Sequence, residues 1–399
     1  MAFSMVSSTD TARRSIFLYA PVRLLTFYKQ TPSYLATKPP ILYNYDMDHS
    51  LKRRSNAVLA INSIAHLCVD AVCACTLLGV LKDRAELALL IFLYNTLAFS
   101  TQCLVGLAAD RVKRHPLFVS LAEASVAFGF LLPLPALLRV VFIGIGNSVF
   151  HVAAGAMTLE ASENRAAPLG VFVAPGAIGV TLGTLYPFLG KYFALALILA
   201  TCIEFALDRS FSATEIGVNA DKSSLPFTRK GGVMLALFLT SAVAVRAIGG
   251  SAAAFPWKST PLLSLLLTFF VFAGKASGGF FMDRLGARRA SLISIPLAAV
   301  LTAFLSGFAV PSMIGQFALN LTMPITLYLM YRAMPDSPAF AFGLAASALW
   351  PGTAMGKLLT LTGPALWACV LISFLFGLFA ILHSERRIEL FDIKQNLSL

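Results

Sequence analysis

Two pairs of polar side chains are spaced so that each pair shares one face of a helix inside a strongly apolar stretch. His66 and Asp70 are four residues apart, and Asn147 and His151 repeat the spacing, which makes the members of each pair neighbours on a helix. A carboxylate beside an imidazole can bind and release a proton, or it can brace a helix bundle as a neutral hydrogen-bonded pair. Because an ionisable group in hydrocarbon costs about 2.5–3.5 kcal/mol, the pattern favours a functional site.

Other polar residues in apolar stretches extend this candidate pathway for substrate and protons. Glu123 is a second candidate proton site, and Arg246 is a cation without a local acid that could pair with Asp70 from the opposite half of the chain. His151 and Trp350 could each line the pathway or simply pack in the protein interior. Arg139 could line the pathway or extend to the membrane surface. The sequence places Lys275, Lys357 and Glu204 close enough to helix ends to reach water. The complete candidate pathway is His66, Asp70, Glu123, Arg139, Asn147, His151, Arg246, Asn320 and Trp350.

The elements that position these residues must be membrane-spanning helices. Hydrophobic residues make up 58% of the 399-residue chain, too many for a solvated surface, and stretches of about 20 apolar residues recur, enough to cross a bilayer core about 30 Å thick. His66 and Asp70 would then lie about 14 and 20 Å along the first helix, near the middle of the membrane. The twelve predicted helices are 57–81, 86–109, 116–132, 135–158, 167–188, 191–207, 231–250, 259–282, 289–308, 312–333, 338–360 and 363–383.

The net charge of +12 indicates orientation in a membrane rather than nucleic-acid binding, because the basic residues are scattered over short loops. Alternate loops hold 18 and 4 Lys or Arg residues. The positive-inside rule therefore predicts a multi-pass protein of the cell (inner) membrane with both termini in the cytoplasm. The four on the opposite side are Lys82, Arg84, Lys191 and Lys258.

A constant offset of 173 residues relates the two halves of the chain. It pairs Gly106 with Gly279, Asp110 with Asp283, Arg111 with Arg284, Asn147 with Asn320, Gly170 with Gly343, Gly179 with Gly352 and Gly183 with Gly356. Because six helices separate equivalent positions, the sequence predicts a parallel repeat about an axis along the membrane normal. We predict an extension at 1–51, six-helix halves at 52–207 and 231–384, a cytoplasmic linker at 208–230 and a tail at 385–399. The extension could be a disordered tail, a start at Met1 in place of Met47, or an organellar targeting segment.

A charged loop occurs at the same place in each half, as "GLAADRVKRH" (106–115) and "GGFFMDRLGARR" (278–289). In each loop a glycine one helical turn before an aspartate lets another helix approach closely, so that the aspartate can meet the end of that helix or a basic partner. Arginines follow at the water boundary, where they can pair with acids or with a helix C-terminus. The two loops therefore predict a paired latch.

These paired loops resemble the two copies of the G-x-x-x-D-R-x-G-R-[KR] loop of the major facilitator superfamily, and the resemblance covers residues 52–390. It departs at Lys113, which stands at the second glycine position, and at Ala287. The resemblance implies an all-α fold of twelve transmembrane helices in two six-helix halves, with loops that hold the halves together on the cytoplasmic side. The residues that would do so are Gly106, Asp110, Arg111, Arg114, Gly279, Asp283, Arg284 and Arg288.

Two further segments point to a branch of that superfamily. "SIAHLCVDAV" (63–72) and "GIGNSVFHVAAG" (144–155) are similar to segments of the fosmidomycin resistance branch, which exports drugs in exchange for protons; Val152 stands where that branch has proline. "GVFVAPGAIGVTLG" (170–183) resembles the antiporter signature of the fifth helix, with "GLAASALWPGTAMG" (343–356) as its counterpart. Proline weakens a helix locally, so both helices are predicted to bend. The residues concerned are Pro175, Gly176, Gly179, Pro351 and Gly352.

We therefore expect a secondary transporter that exports a small drug-like or organic solute in exchange for protons, as a monomer in the lipid bilayer. An importer or exchanger of a small anion is the first alternative, favoured if Arg139 and Arg246 face the cavity, and a transport-inactive membrane sensor is the second. We expect no enzyme activity, cofactor, metal or nucleic-acid partner. The six cysteines follow no metal-ligand spacing, and the chain has no G-x-x-x-x-G-K-[ST] loop, which argues against ATP as the driver of transport.

Overall fold

The computed structural model describes residues 41–212 and 229–396, with side-chain surroundings for 55–205 and 231–391. The chain divides into two compact units, Met1–Leu51 and Lys52–Leu399. Of the first unit, residues 41–51 are described and are helical. Most of the predicted extension and the middle of the predicted linker, 213–228, lie outside the described residues.

The second unit is built from helices, which we number by membrane crossing. Crossing α8 and crossing α9 form one continuous helical run, Pro261–Leu305, divided at Gly286, whose φ of 79° and ψ of 159° are not helical. The other crossings are α1 Ser55–Val80, α2 Leu87–Val112, α3 His115–Leu131, α4 Ala136–Glu160, α5 Ala167–Leu185, α6 Pro187–Phe205, α7 Gly231–Ala252, α10 Ala309–Ala333, α11 Pro338–Ser347 with Leu349–Leu358, and α12 Gly363–Phe391.

These twelve crossings agree with the twelve predicted helices to within a few residues at nearly every end. Nine helical runs of the described residues are long and apolar enough to cross a membrane. Division of Pro261–Leu305, together with α3 and α11, accounts for the other three crossings. The largest difference is at α12, which continues to Phe391 rather than ending at 383, because its last turns alternate charged and apolar residues that remain good helix formers.

Local sequence explains where several crossings begin. Pro116, Pro168, Pro261 and Pro338 lie in the first turns of α3, α5, α8 and α11, where a missing backbone N–H leaves no helical hydrogen bond unmade. The hydroxyl of Thr260 also accepts a hydrogen bond from the backbone N–H of Leu263 at 3.3 Å, which caps α8.

Two equivalent crossings, α5 and α11, are broken in the middle near the prolines singled out from the sequence. In α5 the helix is interrupted at Ala174, immediately before Pro175, and in α11 it is interrupted at Ala348, three residues before Pro351. Proline supplies no N–H to the preceding turn and its ring crowds that turn's carbonyl, so each break is a local consequence of the sequence. Both crossings can therefore bend.

Crossing α4 lies deepest in the bundle. In its most apolar 18-residue window 72% of the residues are buried, against 22% for α2. Polar side chains on α4 therefore face protein rather than lipid, and need partners from neighbouring helices. Those partners are supplied by α1, α2 and the end of α3.

Candidate functional site

Four of the predicted residues form one buried group, which we call the polar cluster: His66 and Asp70 from α1, and Asn147 and His151 from α4. The amide of Asn147 donates a hydrogen bond to Asp70 Oδ1 at 3.0 Å. His66 Nε2 lies 3.4 Å from Asp70 Oδ2, and His151 Nε2 lies 3.8 Å from Asp70 Oδ1. The i, i+4 spacing places each pair on one face of its helix, and the two faces meet around the carboxylate of Asp70.

The two histidine rings are oriented by backbone carbonyl groups. His66 Nδ1 lies 2.7 Å from the carbonyl oxygen of Phe172 in α5, and His151 Nδ1 lies 2.9 Å from that of Asn147. A carbonyl oxygen can only accept a hydrogen bond, so each Nδ1 carries the hydrogen and each Nε2 has a lone pair in the neutral ring.

The two Nε2 atoms then face each other at 2.8 Å. Two lone pairs at that distance would repel, whereas one hydrogen between them makes an ordinary N–H···N hydrogen bond. With both Nδ1 positions already protonated, that hydrogen makes the histidine pair a monocation, and Asp70 is the adjacent negative charge. The arrangement is therefore suited to hold one proton.

The donor set also matches the ligands of a transition-metal ion, because nitrogen or oxygen atoms of His66, Asp70 and His151 lie within 4.8 Å of one another; among the described residues no other such group of three is found. Two ligand atoms about 2.0–2.1 Å from a tetrahedral ion are about 3.3 Å apart. The observed separation of 2.8 Å is a hydrogen-bond distance, so the present geometry fits a bridging proton better than a bridging metal ion.

Aromatic side chains and a glycine enclose the polar cluster. The ring of His66 packs 5.0 Å from that of Phe172 and 6.1 Å from that of Phe150. A Cβ atom on Gly176 would come within 2.5 Å of Asp70 Oδ2 and closer still to His66 Nε2. The predicted bending helix α5 therefore touches the polar cluster directly at a position that has no room for a side chain.

Lys275 faces the polar cluster from the other half of the molecule. It lies 14 residues into α8, about 21 Å from the start of that crossing, and its charge interacts with those of Asp70 and His151. Within the described part of the chain its ammonium group has no hydrogen bond or ion pair. Lys275 is thus a half-buried cation beside the polar cluster, well inside α8.

Two other predicted pathway residues lie apart from the polar cluster. The Glu123 side chain is fully buried; its Oε2 accepts a hydrogen bond from the hydroxyl of Thr201 in α6 at 3.0 Å, and Oε1 has no partner among the described residues. Arg139 donates to the carbonyls of the end of α3 and of the turn that follows, at 2.6–2.9 Å, so it caps that helix instead of lining a pathway. The carbonyls are those of Gly129, Phe130 and Leu132.

The predicted residues of the second half are more dispersed. Arg246 donates to the hydroxyl of Thr326 at 3.3 Å, and the pair with Asp70 that the sequence suggested is not formed. Asn320, the repeat partner of Asn147, donates to the carbonyl of Gln316 within its own helix at 2.8 Å. The ring of Trp350 lies 6.1 Å from that of Phe92, so it contacts the opposite half.

Both loop aspartates bind the first turn of a helix in the opposite half. Asp110 accepts hydrogen bonds from the backbone N–H groups of Ala339 and Phe340 at 3.0 and 2.8 Å, at the start of α11. Asp283 accepts from those of Ala166 and Ala167 at 2.7 and 3.0 Å, at the start of α5. A carboxylate at a helix N-terminus satisfies unpaired N–H groups and interacts favourably with the helix dipole. We call the end of the bundle that carries these two contacts the basic face.

The glycines of the loops permit these contacts, while their arginines are exposed. A Cβ on Gly106 would come within 2.5 Å of the carbonyl oxygen of Ala339, and one on Gly279 would meet that of Ala166. His115 adds a contact in the first half, 4.0 Å from Asp110 and 3.6 Å from Glu160. No ion pair is formed by the loop arginines within the described residues; these are Arg111, Arg114, Arg284 and Arg288.

Comparison with solved structures shows the major facilitator fold. The E. coli fucose:proton symporter FucP, in a single-substitution variant, matches with a TM-score of 0.57 at 10% sequence identity, over 82% of this chain and 98% of that one. FucP in the outward conformation, described as a major facilitator superfamily transporter, gives 0.52 at 12% identity, over 81% and 98%. A bacterial homologue of the iron transporter ferroportin in an outward-facing state gives 0.51 at 15% identity, over 84% and 99%.

No known family's sequence profile matches this chain, and no curated protein matches it by sequence. At 10–15% identity the structural matches define the fold alone. This chain is therefore a multi-pass membrane protein with two parallel six-helix halves, and its chemistry must be argued from its own residues.

Sequence reasoning missed two contributors to this site. The carbonyl of Phe172, which orients His66, is 106 residues away in the chain, and a backbone carbonyl carries no residue-type signal. Lys275 did carry a signal, since it is a lone cation in the apolar segment 259–282. A lysine in the middle of a predicted crossing is itself an indication of function.

Proposed function

We propose that this protein is a secondary active transporter that exports a small drug-like or organic solute in exchange for protons. The observation that carries the proposal is the pair of histidine Nε2 atoms, 2.8 Å apart with both Nδ1 atoms committed to carbonyls. That geometry calls for one proton in the interior of a membrane protein, where an ionisable group is costly unless it serves a pathway.

The two aspartate caps support assignment of a conformational state. Both caps tie one half to the other at the basic face, so the halves are closed there. FucP and the ferroportin homologue with a similar fold are described in outward conformations. We propose that the basic face is cytoplasmic, as the loop charges predict, and that the structure is the outward-facing state.

The exchange would proceed by competition at Asp70. In the outward-facing state a proton occupies the histidine pair and neutralises the carboxylate. When the halves rock and the basic face opens, the proton leaves to the cytoplasm and Asp70 is free to bind a hydrogen-bond donor or cationic group of the solute. Solute and proton then occupy the polar cluster in turn, which is the requirement for exchange.

Everted membrane vesicles test this exchange across many candidate solutes. A respiration-driven pH gradient is followed with an acridine dye, and compounds of a broad drug panel are added one at a time. Exchange predicts that a transported compound partly collapses the gradient in vesicles with the wild-type chain and has no effect with Asp70→Asn. A gradient that no compound collapses, or an equal collapse with Asp70→Asn, would contradict the proposal.

Lys275 favours a second candidate function, proton-linked movement of a small anion. Its ammonium has no partner among the described residues, and Arg246 has a single hydroxyl partner there, so the second half could offer two cations to an anionic solute. An anion bound at Lys275 would strengthen proton binding by Asp70, so the two would move together. Alkalinisation of the medium on adding the solute to de-energised cells would indicate this symport, and acidification would indicate exchange.

A further inference from the structure

A cavity of about 260 Å³ lies between α7 and α12 at the basic face, and it shares no residue with the polar cluster. Its walls are mainly apolar, from Met234, Leu235, Phe238 and Phe391, and two nitrogen-bearing side chains, His383 and Arg387, complete it. The ring of His383 is held in place by Phe238 and Phe379, with ring centroids 5.6 and 5.9 Å away. The cavity therefore has an apolar part and a cationic part.

The depth of the cavity matches the boundary between hydrocarbon and headgroups. His383 lies 20 residues after Gly363, the start of α12, which is about 30 Å along the helix and equals the thickness of a bilayer core. Arg387 lies one turn further, about 36 Å along, at the level of the lipid headgroups.

From the cavity toward the middle of the membrane, α7 and α12 present an exposed apolar surface. Met234 and Leu237 of α7, and Leu375 and Phe379 of α12, are all exposed large side chains. In a membrane-spanning helix such a surface faces lipid tails. A lipid seated there would lay its acyl chain along these residues and bring its headgroup to His383 and Arg387.

Charge favours an anionic headgroup. Arg387 forms no ion pair in the described part of the chain, and Arg229 and Lys230 precede α7 in the sequence. Of the nearby acids, Glu385 accepts a hydrogen bond from the backbone N–H of Arg288 at 3.1 Å, and Glu389 is exposed. Basic pockets between helices at this face of a membrane suit phospholipid headgroups.

We propose that the cavity between α7 and α12 is a binding site for an anionic phospholipid, whose phosphate is held by Arg387 and His383 and whose acyl chain lies along Met234, Leu237 and Phe379. The site is separate from the polar cluster, so it is independent of the transported solute.

The test measures binding of phosphatidylglycerol to the full-length chain purified in detergent, by native mass spectrometry and by the rise in thermal unfolding temperature. Wild-type chain should retain phosphatidylglycerol and be stabilised by it, but not by phosphatidylcholine or glycerol phosphate. Arg387→Gln should bind about fivefold more weakly, the effect of one basic residue at an anionic lipid surface, and His383→Gln should also bind more weakly. Arg387→Lys should retain most of the binding.

Arg386→Gln is the matched control, because Arg386 is the exposed neighbour that does not line the cavity. It should bind phosphatidylglycerol like the wild-type chain. Equal weakening in Arg386→Gln and Arg387→Gln, equal stabilisation by phosphatidylcholine, or an equal effect of glycerol phosphate would overturn the proposal. Arg387→Lys keeps the positive charge and is the check on folding. If this variant folds but no longer binds phosphatidylglycerol, the result also counts against the proposal.

Discussion

At the residue scale, two backbone carbonyls control the orientation of the two histidine rings. The carbonyls of Phe172 and Asn147 each accept a hydrogen bond from an Nδ1–H group. The Nε2 atoms of His66 and His151 therefore face each other and lie beside Asp70. A side chain with similar polarity but without a ring cannot satisfy the carbonyl and the facing Nε2 together.

The histidine pair gives the first prediction. His66→Gln and His151→Gln should each reduce solute-induced collapse of the pH gradient about tenfold or more, because neither variant can hold the proton between two ring nitrogens. The measurement is the dye assay in everted vesicles at equal protein levels. Cys68→Ala, a buried change on α1 that leaves the polar cluster intact, should transport normally; unaffected glutamine variants would remove the pair from the mechanism.

Lys113 and Gly286, which the offset of 173 pairs, give a prediction about backbone conformation. Lys113 ends the α2 helix with a φ of 55°, and Gly286 divides α8 from α9 with a φ of 79°. Left-handed backbone costs a non-glycine residue about 1–2 kcal/mol. Lys113→Gly should therefore raise the unfolding temperature, and Gly286→Ala should lower it by the equivalent of about 1–3 kcal/mol, in a thermal scan of the purified chain. The opposite order would contradict this assignment.

At the scale of elements, the two halves are joined by aspartates acting on helix N-termini rather than by ion pairs of the loop arginines. Each carboxylate accepts two backbone N–H groups, one with each oxygen. In an asparagine an NH2 group, which cannot accept a hydrogen bond, replaces one of these oxygens and the charge is lost, so the two-oxygen arrangement cannot be kept.

Asp110→Asn and Asp283→Asn should therefore loosen the basic face. Loss of a charged cap costs about 0.5–2 kcal/mol, enough to shift a two-state equilibrium several-fold toward the state open at that face. Distances between spin labels placed on the ends of α2 and α11 would show a larger population of long separations. Asp336→Asn, an exposed acid just before α11, is the control; equal distance distributions in all three variants would argue against the latch.

The break in α5 leads to a prediction about packing against the polar cluster. Gly176→Ala would bring a methyl group within 2.5 Å of Asp70 Oδ2, so it should displace the carboxylate and abolish transport while leaving the chain inserted and folded. Gly307→Ala has no atom within 4 Å of the new methyl and should transport normally. The vesicle assay, with expression level as a check, separates the two, and full activity of Gly176→Ala would show that this contact is unimportant.

At the scale of the whole molecule, sequence alone accounts for the crossings and their repeat, since apolar length and glycine spacing are local properties. It also indicated His66, Asp70, Asn147 and His151, because the i, i+4 spacing reports a shared helix face. It could not say which faces of α1 and α4 meet, nor that Arg139 would be used as a helix cap, because those depend on how helices pack. The carbonyl of Phe172 became part of the site only through the fold.

The loops and the polar cluster belong to one proposed cycle. The aspartate caps form when the basic face is closed, and the polar cluster binds or releases the proton. Closure at the basic face with a proton on the histidine pair is the combination expected of an exchanger waiting to release its proton inward. The proposed cycle therefore depends on one proton being present between His66 and His151.

Nitrogen-15 NMR of histidine-labelled protein in lipid measures that proton most directly. With signals assigned from His66→Gln and His151→Gln, the proposed cycle predicts that at neutral pH both Nδ1 atoms carry hydrogen and that one hydrogen is shared between the two Nε2 atoms, with its signal lost in either variant. Two neutral rings, each with hydrogen on Nε2 and none shared, would contradict it.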